Sequence, residues 1–142
     1  CLQYLKNSNN PHILNLCPPI SLKPKWFENF TAYTIAKYGM SMCVIGMSEE
    51  YKKYKIAVNA LWPKTTIDTA AIRMLGGIVK PQQCRTVDIL SDTAFYILKR
   101  DSSKFTGNFC IDEEVLKEEG INNLEKYSVK PGEKLFDDLF LD

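Results

Sequence analysis

Apolar and polar positions along this chain fall into alternating blocks. His12-Ile13-Leu14-Asn15-Leu16-Cys17 is a brief apolar run between Asn7-Ser8-Asn9-Asn10-Pro11 and Pro18-Pro19, the pattern of a strand covered on both faces and stopped by turn formers. From Thr31 to Tyr54 the period becomes helical: Ile35, Met42, Ile45 and Gly46 recur near it, and Ala36, Gly39 and Ser41 are small. Small residues on a helix flank suit close packing against another helix, including one from another subunit. Lys55 to Leu61 returns as a second buried strand, after a helix of the length that a crossover between parallel strands requires. Thr65 to Leu75 reads as a short helix stopped by Gly76-Gly77. Thr86 to Arg100 places Val87, Leu90, Ala94, Ile97 and Leu98 at helical spacing, and Phe105 to Asp112 is a third strand. Asp112 and Glu113 suit the start of a helix running to Glu119, because acids complement that end of the dipole. Cys1 to Lys6 reads as the end of a helix.

The alternation is β-α-β-α-β, which predicts an α/β fold with a parallel open sheet. Its core spans 1–119, followed by a C-terminal tail over 120–142. The length of 142 residues suits one domain, and a net charge of +1 gives no electrostatic preference for nucleic acid. The longest uncharged run, Asn7 to Leu22, is too short and too interrupted to span a bilayer. Five cysteines, with no Cys-x-x-Cys pair, predict reduced thiols of an intracellular protein rather than a disulfide framework or a zinc site. His12, with no metal-ligand spacing around it, reads as a structural histidine, and no metal is expected. Trp26, Phe27, Trp62 and Phe95 read as core aromatics.

Candidate chemistry lies in Tyr33-Thr34-Ile35-Ala36-Lys37. Residues four apart share one helix face, so an ammonium comes near a phenol. At about 4 Å and an effective dielectric of about 20, the attraction between an ammonium and a phenolate is roughly 4 kcal/mol before desolvation. Such a cation is expected to lower the phenol from its reference value of about 10 toward one useful for proton transfer.

In order and spacing, Ile13-Leu14-Asn15-Leu16-Cys17, Tyr33-Thr34-Ile35-Ala36-Lys37, Val58-Asn59-Ala60-Leu61 with Pro63, and Thr106-Gly107-Asn108-Phe109-Cys110-Ile111-Asp112 resemble blocks of the short-chain dehydrogenase/reductase family. The resemblance covers about residues 1–119. It implies the C-terminal half of a Rossmann-like doubly wound sheet, and an oxidoreductase that uses NADP or NAD on an alcohol or carbonyl, of lipid or steroid-like kind in one branch. Tyr33 would be the general acid or base, and Lys37 would tune it and hold the nicotinamide ribose. The serine that polarises substrate in the family is matched here by Ile20, with Ser21 its neighbour and Cys17 a weaker donor. Pro63, Thr65, Ile67 and Thr69 match the segment that touches the cofactor, although Lys64 stands where the family has glycine. Structurally, Thr65, Ile67 and Thr69 read equally well as a cap and core contacts.

The glycine-rich Gly-x-x-x-Gly-x-Gly turn that cradles a pyrophosphate is absent from the sequence. Because the chain starts at Cys1, it reads as a fragment whose first half is missing, with poor cofactor affinity expected of these residues alone. Its first strand is then an open edge that needs the missing half or another copy as partner. The family branch also implies a peroxisomal or mitochondrial setting. Two readings stand: an oxidoreductase represented by its second half, or an inactive paralogue or fragment that works through protein association.

Overall fold

The computed structural model describes residues 1–74 and 76–142. Its elements in chain order are α1 (Leu2–Lys6), β1 (His12–Leu16), α2 (Thr31–Glu50), β2 (Ala57–Trp62), α3 (Ala70–Met74), α4 (Asp88–Lys99), β3 (Phe109–Ile111) and α5 (Asp112–Glu118). The three strands form one parallel sheet in the order β1-β2-β3, with His12 opposite Ala57, Leu16 opposite Leu61, and Trp62 opposite Ile111. This is the expected α/β arrangement.

Alternation along the strands decides which helix covers which face. Val58 and Ala60 of β2 pack with Val44 of α2, with Ile13 of β1 against them. Leu61, one position out of phase, packs with Ile97 of α4 and Val115 of α5, with Leu14 against them. β2 is buried throughout, whereas β1 is only partly covered, as an edge strand must be. Asn59 is a polar group in the middle of the sheet, and both ends of its amide are bonded: Nδ2 donates to the Phe105 carbonyl at 2.9 Å, and Oδ1 accepts from the Asn108 backbone and side chain. It fixes the approach to β3.

Several expectations are corrected. The short helix expected from Thr65 begins at Ala70, because Thr65 and Ile67 are drawn into bridges with Asp137 and Arg85; its expected end, Leu75, lies outside the described residues. Phe95 is an exposed aromatic and not core. α2 buries Thr34, Tyr38, Ser41 and Val44 and presents Ile35, Met42 and Ile45 to solvent, at 61%, 60% and 53% exposure. Thr34 and Ser41 turn inward because their hydroxyls bond there, Ser41 Oγ donating to the Pro18 carbonyl at 2.7 Å and Thr34 Oγ1 to that of Trp26, whereas the small Ala36 and Gly39 lie on the exposed side. Residues 120–142 extend the core, with Leu124, Tyr127 and Phe140 buried.

Asp112, fully buried at the end of β3, ties the loop after β2 to α5: its Oδ1 accepts the N–H groups of Lys64 at 2.8 Å and Glu113 at 2.7 Å. Oδ2 is buried without a described partner. Burial pushes the carboxyl up to about 6 from 3.8, against the two N–H bonds. A raised folded value means stability is greatest while both states are protonated and is lost as pH rises from about 4 through about 6. Asp112→Asn keeps an acceptor for both N–H groups without the buried charge. Its urea stability at pH 7 is expected to equal or exceed that of wild type, because the ionised carboxyl's loss is removed, and the fall between pH 4 and 6 should flatten.

Candidate active site

β1 and β2 end side by side, and in open parallel sheets the crevice outside the carboxyl ends is where ligands bind. α2 brings Tyr33 and Lys37 to that edge one turn apart. Lys37 Nζ donates to the carbonyl of Leu16, the last residue of β1, at 3.1 Å. It also lies 5.1 Å from the centre of the Trp62 ring at the end of β2 and 6.0 Å from that of Tyr33. Tyr33 is 45% exposed.

The expected lowering of the phenol is corrected by this arrangement. Burial pushes the Tyr33 hydroxyl up, and the Asp138 carboxylate adds to the rise. The Lys37 ammonium is committed to the Leu16 carbonyl and the Trp62 face, which leaves the phenol under the influence of the acid instead.

Asp138 belongs to a feature that the sequence reading missed, in which the last six residues fold over the Tyr33 end of α2. The Asp138 N–H donates to the Lys64 carbonyl at 3.1 Å, and its Oδ1 accepts the Leu139 N–H at 2.7 Å. Trp62 Nε1 donates to the Leu139 carbonyl at 2.9 Å. Phe140 is buried among Trp26, Tyr38 and Trp62, and its ring stacks on Tyr33 with centroids 6.0 Å apart and planes 22° apart. Its φ of 70° is left-handed, uncommon for a bulky residue and held here by the surrounding rings. Asp142 accepts from Trp26 Nε1 at 3.1 Å and from Ser21 Oγ at 3.0 Å. The signal was present: Leu139-Phe140-Leu141 is an apolar triplet out of place on a solvated tail. Burial pushes the Asp138 carboxyl up to about 6, with the Leu139 N–H and Lys37 pulling it back.

The other candidates divide. The Ser21 hydroxyl is directed at Asp142, and the Tyr38 hydroxyl donates to its carbonyl at 2.9 Å. Ile20 packs against the cluster of Tyr38, Trp62, Ile111 and Phe140. Cys17 is buried, and burial pushes its thiol up, so a thiolate there is disfavoured. Pro63 is buried directly after β2. Thr65 is bridged to Asp137, and its Oγ1 is buried without a described partner. Ile67 sits in the core with Ile89, Leu116, Leu124 and Tyr127. Thr69 precedes α3, and its carbonyl accepts the Arg73 N–H at 3.3 Å. The structure therefore gathers Tyr33, Lys37, Trp62 and Asp138, while Ser21 is tied to the chain end and Ile67 to the interior. Among the described residues no group of His, Cys, Asp and Glu could hold a metal ion, and no helix is long and apolar enough to cross a membrane.

Searched against known proteins, the chain matches no family model. Over all 142 residues it is 62% identical to hydroxysteroid dehydrogenase-like protein 2 of Xenopus tropicalis and 59% identical to that of Homo sapiens, covering 34% of each. It superposes over its whole length on a crystal structure of a short chain dehydrogenase from Mycobacterium thermoresistibile, with a TM-score of 0.89 and 43% identity, covering 50% of that chain. The chain thus spans about a third of the length of these curated relatives and half of that solved structure.

Proposed function

From the premise that the chain belongs to the short-chain dehydrogenase/reductase family, we propose that it carries the proton-transfer half of a nicotinamide-dependent oxidoreductase acting on an alcohol or carbonyl. The reading is supported above all by one observation: Tyr33 and Lys37 share one face of α2 at the carboxyl ends of two parallel strands, with Lys37 fixed on the Leu16 carbonyl. The relatives' name points to hydroxysteroid-like substrates.

The residues fit one end of such a cofactor. Lys37 and Tyr33 offer donors for ribose hydroxyls, and the Thr65 hydroxyl, without a partner among the described residues, suits a carboxamide or phosphate oxygen. No glycine run cradles a pyrophosphate in this sequence, so these residues supply the ribose and nicotinamide end only. When bound, a reduced nicotinamide supplies hydride to a carbonyl carbon. Tyr33 supplies the proton: its hydroxyl, kept protonated by partial burial and by Asp138, gives that proton to the carbonyl oxygen as charge develops there. Lys37 stabilises the phenolate that results, and Trp62 with Phe140 forms the apolar wall that excludes water beside it.

The test is oxidation of reduced nicotinamide by the full chain with a panel of ketones of increasing size. Lys37→Met is expected to weaken cofactor binding by about 10- to 100-fold, the loss of one or two charge-assisted hydrogen bonds, read by quenching of tryptophan fluorescence. Unchanged affinity would remove Lys37 from the cofactor site. The second reading, a chain that acts through association, is favoured by the exposed Ile35, Met42 and Ile45 of α2 and by the open edge of β1.

A further inference from the structure

We infer that Trp62 is a positioning residue for Lys37: its indole face holds the ammonium beside the Leu16 carbonyl without offering an acceptor atom, which leaves N–H groups of Lys37 for the ribose hydroxyls of a nicotinamide cofactor. The ribose part of this rests on Lys37 being a cofactor ligand.

Lysine carries a compact charge on a flexible four-carbon stem, so its head is placed only where contacts hold it. Two contacts do so here. Nζ donates to the Leu16 carbonyl at 3.1 Å, its one acceptor among the described residues. It also lies 5.1 Å from the centre of the Trp62 ring, inside the roughly 6 Å over which an aromatic face attracts a cation, and tryptophan is the strongest such partner. The Tyr33 ring, at 6.0 Å, stands at that limit. Lys6, Lys25, Lys53, Lys99 and Lys126 also lie over rings, but all are exposed, and water competes there for the charge. Lys37 is half-buried, with a carbonyl rather than a carboxylate on its ammonium.

The platform is itself fixed. Trp62 ends β2 opposite Ile111 and is buried. Its Nε1 donates to the Leu139 carbonyl at 2.9 Å, and Phe140 packs against it with ring centres 6.0 Å apart. The indole plane cannot turn without breaking that bond or displacing Phe140. β1 thus supplies a carbonyl and β2 a ring face, and the ammonium is clasped between the carboxyl ends of the two strands, where ligands of a parallel sheet sit. A carboxylate in place of the ring would accept N–H groups and cancel the charge. The ring attracts the charge through its quadrupole and consumes no particular donor. An ammonium has three N–H groups and Leu16 takes one, so two stay available. Holding it in place matters because a ligand's apparent affinity falls with the fraction of time its binding group is in position.

The experiment is NMR of the full chain carrying isotope-labelled lysine, without cofactor, with the Lys37 ε-methylene signal identified by its loss in Lys37→Met. Protons above an aromatic face are shifted upfield by the ring current. The Lys37 signal should therefore lie upfield, move toward that of a solvated lysine in Trp62→Leu, and keep part of its displacement in Trp62→Phe. A signal unmoved in Trp62→Leu would overturn the assignment. A second measurement does not depend on that variant folding: tryptophan bearing an increasing number of ring fluorines, incorporated in place of Trp62 alone, keeps the shape and the N–H while draining electrons from the face. Relaxation of the Lys37 ε-carbon should show mobility rising with each added fluorine, an order that a merely structural indole would not produce, and mobility constant across the series would equally overturn the platform. Calorimetric affinity for reduced nicotinamide cofactor should fall in parallel, by up to about 30-fold, the full worth of such a contact. Because the Lys37 signal is read without cofactor, the two readings separate. Affinity that stays constant while Lys37 mobility rises would remove the ribose role and leave the platform, whereas a Lys37 signal indifferent to Trp62 would remove the platform alone.

Discussion

Tyr33→Phe is expected to lower turnover of a carbonyl substrate by about 100- to 10,000-fold, the usual contribution of a positioned general acid, while leaving the fold nearly unchanged and costing cofactor binding only the one hydrogen bond that the hydroxyl offers the ribose, about 10-fold or less. The separation is unusually clean because of what the hydroxyl does in the resting structure. It makes no hydrogen bond to any described residue, whereas the ring stacks on Phe140 at 6.0 Å. Phenylalanine keeps that stack and removes only the group that carries the proton. The change in stability should stay within about 0.5 kcal/mol, as for surface substitutions that break no contact. Steady-state rates with reduced cofactor, beside a urea melt of the same protein, make the comparison. A variant as fast as wild type would sink the proton-transfer role and favour a chain that works by association.

The pH dependence of that rate carries a sign. Both influences on Tyr33, burial and the Asp138 anion, raise the phenol, so the donor is fully protonated at neutral pH and donation is not limited from above in that range. In the reductive direction the rate should hold through neutral pH and fall only where the phenol ionises. In the oxidative direction, where Tyr33 must accept a proton, it should keep climbing into the alkaline range. A lowered phenol, as the Tyr-x-x-x-Lys spacing alone predicts, would put both breaks near neutrality.

That difference marks how far the sequence could be read. The parallel sheet was legible because its signals are local: Ile13 to Leu16, Val58 to Leu61 and Phe109 to Ile111 are apolar runs between breakers, separated by segments of crossover length. The Tyr33 and Lys37 spacing was legible for the same reason, since a helix places residues four apart on one face. What was hidden depends on distant chain. The outward-facing Ile35, Met42 and Ile45 follow the helical period as faithfully as a core stripe would, and only the bonds of Ser41 to Pro18 and Thr34 to Trp26 decide which side turns inward. The charge beside Tyr33 comes from Asp138, more than a hundred residues later in the chain, and no periodicity links them. Ile67 matched a cofactor position in the family blocks, yet its side chain is committed to the interior with Leu116 and Tyr127.

Arg85→Ala is expected to cost about 3–5 kcal/mol in a urea melt, the cost of breaking a buried ion pair by removing one partner. Arg85 Nε and Nη2 both donate to Glu113 Oε1, at 3.1 and 2.7 Å, and Nη1 donates to the Leu124 carbonyl at 2.7 Å. Its side chain is 7% exposed and that of Glu113 14%, so neither charge can turn to water when its partner is lost. Lys117, 3.3 Å from Glu113 Oε2, offers only an exposed substitute. Attraction and desolvation nearly cancel in an intact buried pair, so Arg85→Met with Glu113→Leu should recover much of the loss, short of the bond to Leu124. The consequence reaches the site through the chain that follows. Arg85 is bridged to both Ile67 and Ser128, and the Tyr127 carbonyl accepts the Thr86 N–H at 2.7 Å. Residues 124–128 are thereby fastened before the chain runs on to Asp138 and Phe140. Hydrogen exchange in Arg85→Ala should therefore rise at the Asp138 and Leu139 amides as well as around Arg85, and protection kept at those amides would show that Trp62 and the aromatic cluster hold the chain end without help from the ion pair.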